Sequence, residues 1–183
     1  MQVQEIEFYL AQLGQELEDR GVQQPVRVLL IGGTFMLLQV QNRRATDDVD
    51  VFFKDIEDTT VSPLYMQCKA AVRAVAARNQ LKGNWFNDLM GDAIRDTNRV
   101  PEGTLWRTYG MLAVYLPPKE YILALKLLAG RQKDIADIEA LSQQLEIKTR
   151  AQAQSVVDRY IPNRQLQALS DLDRTLRDFF PGS

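Results

Sequence analysis

The stretch LLIGGTFMLLQVQNRRATDDVDVFF, from Leu29 to Phe53, contains the pattern from which the fold can be predicted. An apolar run that begins at Pro25 stops at Gly32 and Gly33, which is typical of a buried β-strand of about six residues. The residues from Thr34 to Arg43 are typical of a helix, and the run DDVDVFF predicts a second strand. The glycine pair is therefore expected between a strand and a helix, and two aspartates are expected on the strand that follows.

Asp48 and Asp50 are the two carboxylates of this second strand. Successive strand side chains point to opposite faces, so both aspartates are expected on one face, with Val49 and Val51 on the core face. Two carboxylates this close repel each other unless a cation lies between them, and Mg²⁺ or Mn²⁺ prefers such oxygen ligands. The alternative is an exposed acidic strand end, since Asp47 adds another carboxylate.

Gly32 and Gly33 lack side chains where the chain leaves the first strand. Bare backbone can approach a ligand closely there, and the amides at the start of a helix favour phosphate. The pair lacks the further glycine of a dinucleotide-binding fingerprint and the Gly-Lys-Ser/Thr of a P-loop, so both of those sites are excluded. A phosphate contact and a simple turn before a helix both remain open.

Two charged residues later in the chain occupy positions where apolar residues are expected. Lys126 lies in a predicted helix that is apolar nearly all round and therefore buried. In the next predicted helix, at about 100° per residue, Asp134 lies at the centre of the apolar stripe, with the apolar residues within roughly 40° of it. The Lys126 ammonium is expected either to snorkel to solvent or to meet an anion, such as a phosphate or an aspartate. Asp134 is expected to pair with Lys126 or a metal, unless it only complements a helix dipole. Asp137 falls about 60° off this stripe and is expected to support the site or to lie at the surface.

The run WFND, from Trp85 to Asp88, places two polar residues after an aromatic pair. The aromatic rings are expected in the core, because burying such large apolar surfaces stabilises a fold. Asn87 and Asp88 could cap a helix, contact a base or support the site. Capping is the preferred interpretation, since Asn and Asp are common at helix N-caps.

The remaining sequence predicts an α+β fold. Helices are predicted at Ile6–Leu17, Tyr65–Leu81, Lys119–Ala129, Lys133–Leu145, Thr149–Arg159 and Asn163–Phe179. The segment from Gly91 to Gly103 is expected to be mostly loop, and TLWRTYGMLAVYLPP predicts one or two strands with a hairpin at Tyr109 and Gly110. We therefore expect a small mixed β-sheet with flanking helices in residues 1–117, and a helical region in residues 118–183 that packs on this core.

The composition limits the chemistry and the partners. The chain of 183 residues has a net charge of −2, no histidine, and Cys68 as its one cysteine. Imidazole is therefore excluded as a metal ligand or general base, and carboxylates must serve. The sequence predicts neither a signal peptide nor a membrane span, so a cytoplasmic location is expected. An RNA partner would need a local basic patch, such as Arg43 with Arg44 or Arg131 with Lys133.

Taken together, the motifs resemble those of the DNA polymerase β-like nucleotidyltransferases. The resemblance begins with Gly-Gly-Thr, a gap of 13 residues, and Asp-Val-Asp on a strand. The later runs WFND and LAVYLPPKEYILALKLLAGRQKDIADIEAL are similar to small bacterial nucleotidyltransferases allied to the AbiEii and MenT toxins. In that group a buried Lys and a later Asp join the aspartate pair. The resemblance covers roughly Val28 to Leu145 and extends weakly to the run AQSVVDRYIP.

The resemblance implies a set of site residues. These are Asp48 and Asp50 as catalytic metal ligands, Gly32, Gly33 and Thr34 as triphosphate contacts, Lys126 as a phosphate ligand, and Asp134 as the group that completes the active site. Many members of the superfamily carry a third carboxylate on a later strand, which MLAVYLP lacks. Asp134, rather than Asp88, is expected to replace it.

The resemblance also implies a reaction. A Mg²⁺- or Mn²⁺-dependent enzyme would transfer a nucleotidyl group from an NTP to an RNA, such as tRNA, or to a protein. Its relatives suggest a toxin–antitoxin or abortive-infection role with an antitoxin partner. The alternatives are a non-catalytic nucleotide-binding or protein-interaction module that keeps the fold, and a structural domain whose aspartates merely end a strand. Metal-dependent nucleotide binding that needs both aspartates would favour the enzyme.

Overall fold

The computed structural model describes residues 1–56, 58–89 and 91–182. The chain divides into two compact units, each built from two segments: Met1–Asp92 with Gly103–Leu116, and Ala93–Glu102 with Pro117–Ser183. The first unit contains a mixed β-sheet with helices and the second is helical, so the predicted α+β class is confirmed. None of the helices in the described ranges is long and apolar enough to cross a membrane.

A five-stranded mixed sheet forms the centre of the first unit. Its strands are β1 (Val26–Leu30), β2 (Val49–Phe53), β3 (Phe86–Asn87), β4 (Thr104–Tyr109) and β5 (Leu112–Leu116), in the order β3-β2-β1-β5-β4. β1 is antiparallel to β2 and parallel to β5, and β3 is parallel to β2. β4 and β5 form an antiparallel pair, which confirms the predicted hairpin.

β1 lies inside the sheet because its side chains are apolar. Val28, Leu29 and Leu30 are fully buried, as a strand covered on both faces requires. Arg27 is its exposed residue and forms an ion pair with Asp55. The position of β1 fixes where the chain enters the glycine pair.

The first unit also contains the helices α1 (Val3–Asp19), α2 (Gly32–Phe35) and α3 (Pro63–Asn79). α1 packs against α3 and against the β4–β5 hairpin. α2 continues as a π-helical turn, Met36–Val40, and ends at Gln41, which has a left-handed φ of 59°. The predicted helix is therefore present, but it ends before Arg43, which lies in the loop that leads to β2.

One segment predicted as loop is helical. α4 (Gly91–Thr97) occupies the first half of the range from Gly91 to Gly103, so this part of the prediction is wrong. Ile94 is a buried apolar side chain in this helix. A helix of two turns shows no repeated apolar spacing, so the sequence offered no periodic signal for it.

The second unit consists mainly of helices after Pro117. They are α5 (Lys119–Ala129), α6 (Ile135–Gln144), α7 (Arg150–Tyr160), α8 (Arg164–Leu169) and α9 (Leu172–Phe179). α5 packs against α6, α7 and α9. The helix predicted from Asn163 to Phe179 is divided into α8 and α9, because Asp171 adopts a left-handed φ of 51° between them.

Candidate active site

The turn after β1 places Gly32 against Asp50. Gly32 has a φ of +64°, a left-handed conformation that glycine adopts readily. A Cβ atom at Gly32 would lie 2.0 Å from Oδ2 of Asp50, so only glycine fits at this distance from the carboxylate. The backbone N–H of Ile31 donates to the Asp50 carbonyl oxygen at 2.9 Å. The structure thus brings a predicted phosphate contact beside a predicted metal ligand.

Gly33 faces a hydroxyl group and a guanidinium group. A Cβ atom at Gly33 would lie 2.6 Å from Oγ1 of Thr46 and 3.4 Å from Nη1 of Arg43. The hydroxyl groups of Thr34 and Thr46 both donate to the Asp48 carbonyl oxygen, at 2.9 and 3.2 Å. These two bonds hold the loop before β2 against the start of α2. Thr34 is fully buried, and its contact with a triphosphate stays a prediction.

The two aspartates differ in their local structure. β2 begins at Val49, so Asp50 lies within the strand and Asp48 lies in the bend before it. Both residues are half-buried. Oδ1 of Asp50 accepts a hydrogen bond from Nδ2 of Asn87 at 3.0 Å. This bond orients the Asp50 carboxylate, whose other oxygen faces Gly32. A metal ion shared by Asp48 and Asp50 stays a prediction.

The strand β3, beside β2, places an amide next to Asp50. Asn87 on β3 is the register partner of Asp50 and supports it through the hydrogen bond described above. Asp88, the alternative third carboxylate, forms an ion pair with Lys69, with 2.8 Å between Oδ1 and Nζ. Within the described ranges, no group of three or more His, Cys, Asp or Glu residues could hold a metal ion.

The donor atoms at the glycine turn suit a hard divalent cation. Asp48 and Asp50 offer carboxylate oxygens, and the chain has no histidine. Cys68 is buried in α3, where desolvation raises the pKa of its thiol to about 12 and thus disfavours a thiolate ligand. Mg²⁺ is commonly held by one or two protein carboxylates together with substrate phosphates. The residues present therefore fit Mg²⁺ or Mn²⁺.

Lys126 and Asp134 meet inside the second unit. Nζ of Lys126 lies 2.5 Å from Oδ1 of Asp134 and 2.7 Å from Oδ2 of Asp137. The exposed fractions of the three side chains are 8%, 8% and 1%, so the group is buried. Of the outcomes predicted for the Lys126 ammonium, the structure shows contact with aspartates, and its contact with a phosphate stays a prediction. We call Lys126, Asp134 and Asp137 the buried ion triplet.

The sequence did not predict the observed contacts of two residues, Arg43 and Asp137. Arg43 was considered as surface for RNA, yet its guanidinium lies beside Gly33. Asp137 was placed off the apolar stripe, yet it is buried against Lys126. For Arg43 the available signal was its place between the glycine pair and the aspartates. For Asp137 it was its spacing of three residues from Asp134, which puts two carboxylates on neighbouring turns.

Comparison with known proteins identifies the family. The family model described as "Nucleotidyltransferase of unknown function (DUF6036)" matches residues 9–152. This range includes every site residue named above. No curated protein and no solved structure was found to match the chain. Because the match covers most of the chain, the protein belongs to this family of nucleotidyltransferases, enzymes that act on a nucleotide substrate.

Proposed function

We propose that the protein transfers a nucleotidyl group from an NTP to a hydroxyl group of an acceptor, with Mg²⁺ or Mn²⁺ as cofactor. The observation that carries the proposal is the contact between Gly32 and Asp50, since a Cβ atom at Gly32 would lie 2.0 Å from the carboxylate. At this turn, bare backbone would allow a triphosphate to approach, and the carboxylate would bind the metal ion that the triphosphate carries. Family membership supports the reaction class.

The roles of the residues at the turn follow from their contacts. Asp48 and Asp50 would hold the metal ion, which when bound neutralises negative charge on the triphosphate and on the leaving pyrophosphate. Asn87 orients Asp50 by donating to Oδ1 at 3.0 Å. The backbone at Gly32 and Gly33 would admit the triphosphate, because no side chain blocks it. One of the two aspartates would accept the proton of the attacking hydroxyl group.

Lys126 and Asp134 are proposed for the phosphate-binding and active-site roles that the resemblance implies. Both residues are buried and form an ion pair. Burying charged groups costs free energy, so their presence in the interior favours a role in function. The same contacts also suit a purely structural role within the second unit. Measuring stability and nucleotide affinity in one set of variants separates these two roles.

The acceptor is proposed to be an RNA, such as tRNA, or a protein, in a toxin–antitoxin or abortive-infection system with an antitoxin partner. The resemblance to AbiEii- and MenT-like enzymes supports this part of the proposal, and the reaction is proposed to occur in the cytoplasm. The net charge of −2 supplies no general attraction to RNA. An RNA acceptor would therefore be recognised through local contacts.

Equilibrium binding of ATP, GTP, CTP and UTP, with and without Mg²⁺, tests the metal site. We expect one or more NTPs to bind with Mg²⁺, and Asp48→Asn or Asp50→Asn to weaken this binding by about tenfold or more, because each removes a ligand charge. Asp47→Asn is the matched control, since Asp47 is exposed and adjacent. NTP affinities that are the same with and without Mg²⁺, and the same in the wild-type protein and the Asp48 and Asp50 variants, would contradict the proposal.

A labelling experiment tests the transfer. The protein is incubated with each labelled NTP and with total cellular RNA or total cellular protein, and the label is followed into each fraction. We expect incorporation into one fraction that requires Mg²⁺ or Mn²⁺ and is lost in Asp50→Asn. Metal-dependent NTP binding with no incorporation into either fraction would favour the non-catalytic nucleotide-binding module.

A further inference from the structure

The two glycines of the turn face groups of opposite charge. The Cβ position of Gly32 lies 2.0 Å from Oδ2 of Asp50, and that of Gly33 lies 3.4 Å from Nη1 of Arg43. The positions are one residue apart, so a carboxylate and a guanidinium group both lie close to one short piece of bare backbone. This arrangement matches the charges of a metal–triphosphate complex, in which a cation and several anionic oxygens lie side by side.

Arg43 is held at this place by the fold of its loop. α2 and its π-helical extension end at Gln41, which has a left-handed conformation, and Arg43 follows two residues later in the loop. Thr46 then anchors the loop, because its hydroxyl group donates to the Asp48 carbonyl oxygen at 3.2 Å and its backbone N–H donates to the Met1 carbonyl oxygen at 3.0 Å. Arg43 itself is half-buried, which limits the positions that its guanidinium group can take.

We infer that Arg43 binds the phosphate oxygens of the incoming nucleotide and selects triphosphates over monophosphates; this role rests on the proposed function. A guanidinium group presents N–H donors in a planar fork that matches phosphate geometry, and charge-assisted hydrogen bonds of this kind are strong. The charge of Arg43 lies beside Gly33, and the carboxylate of Asp50 lies beside Gly32. Arg43 would therefore contact phosphate while the metal lies with the aspartates.

Nucleotide affinity in Arg43 and Arg44 variants tests this inference. The ligands are the NTP that the wild-type protein binds best and the corresponding mono- and diphosphates, all with Mg²⁺ and without RNA. We expect Arg43→Gln to weaken NTP binding by about tenfold or more, and monophosphate binding by no more than about twofold, because few phosphate contacts are lost there. Arg44→Gln removes the same charge from an exposed neighbour and should change NTP affinity by no more than about twofold.

Two further measurements keep the test decisive. Arg43→Lys keeps the charge without the fork and should fall between wild type and Arg43→Gln, and thermal unfolding of each variant checks that the loop still folds. If Arg43→Gln does not fold, the NTP affinity of Arg43→Lys, compared with that of the wild-type protein, tests the inference instead. Equal NTP affinities in the Arg43 and Arg44 variants would overturn the inference, and so would equal losses for all three nucleotides.

Failure of this inference differs from failure of the proposed function. If the wild-type protein binds NTP through Mg²⁺ and Asp50 but tolerates Arg43→Gln, the inference is wrong and the proposed function stands. If the wild-type protein binds no NTP, the proposed function is wrong, and the inference that rests on it is wrong as well. Loss of RNA binding in both the Arg43 and Arg44 variants, with NTP affinity unchanged, would instead assign Arg43 to an RNA surface.

Discussion

Gly32 is the residue on which the geometry of the candidate site depends most. Its φ of +64° costs a residue with a side chain roughly 1–2 kcal/mol, and a Cβ atom would also overlap the Asp50 carboxylate. We expect Gly32→Ala to lower the free energy of unfolding by about 2 kcal/mol or more and to abolish Mg²⁺-dependent NTP binding, because Asp50 must move. Urea denaturation and nucleotide titration measure the two effects.

Gly83 provides the matched control for this substitution. A Cβ atom at Gly83 would meet no heavy atom within 4 Å, and its φ is not left-handed. Gly83→Ala should therefore change the free energy of unfolding by no more than about 0.5 kcal/mol and leave NTP affinity unchanged. Equal stability and NTP affinity in Gly32→Ala and Gly83→Ala would contradict the description of the turn.

The thiol of Cys68 should be unreactive toward alkylating reagents in the folded protein. Cys68 is 2% exposed, and burial raises the pKa of its thiol to about 12, so the reactive thiolate is disfavoured at pH 8. We expect iodoacetamide to modify the native protein at least about a hundredfold more slowly than the urea-unfolded protein. The chain has one cysteine, so mass spectrometry reports this site alone. Rapid stoichiometric modification without denaturant would show that the thiol is accessible.

Between α5 and α6, the buried ion triplet makes the charge of Lys126 necessary to the second unit. Lys126→Met keeps the length of the side chain but leaves the carboxylates of Asp134 and Asp137 without this cation. Removing one partner of a buried ion pair typically costs about 3–5 kcal/mol, and we expect a loss of that size in urea denaturation. Adding Asp134→Asn and Asp137→Asn to Lys126→Met should recover part of it, because the buried negative charges are then removed.

Lys133→Met is the control for this experiment, since Lys133 is exposed beside Asp134. It should change the free energy of unfolding by no more than about 0.5 kcal/mol. The same variants also address function. If the triple variant regains stability but not NTP affinity, the buried ion triplet has a role in nucleotide binding besides its role in stability. A Lys126→Met protein as stable as Lys133→Met would contradict the contribution of the triplet to stability.

Over the whole molecule, elements with a strong sequence period were predictable and irregular ones were not. β1 and α5 were predicted because their apolar patterns leave few alternatives. The interruption at Asp171 was not predicted, since it depends on a left-handed backbone conformation in a polar residue. The packing of residues 118–183 on the core stays a prediction.

The sequence predicted the identity of several candidate site residues, but it predicted fewer of the contacts between them. Gly32 and Asp50 were both named from the sequence, and the fold places them together. Arg43 was not assigned to the turn, because its position depends on where the helix before it ends. The sequence left Asp137 open between supporting the site and lying at the surface, because a helical angle of about 60° from the apolar stripe does not decide burial. In the structure Asp137 is buried against Lys126.

The pairing of β1 with β5 also affects how the chain folds as it is synthesised. Val26 pairs with Leu112, so one edge of the apolar strand β1 has no native partner until β5 has left the ribosome. Parallel pairing between distant segments forms slowly, and an open apolar strand edge is a site for aggregation. A nascent chain that stalls before residue 112 would therefore expose the β1 edge, and we expect chaperones to bind it at this stage.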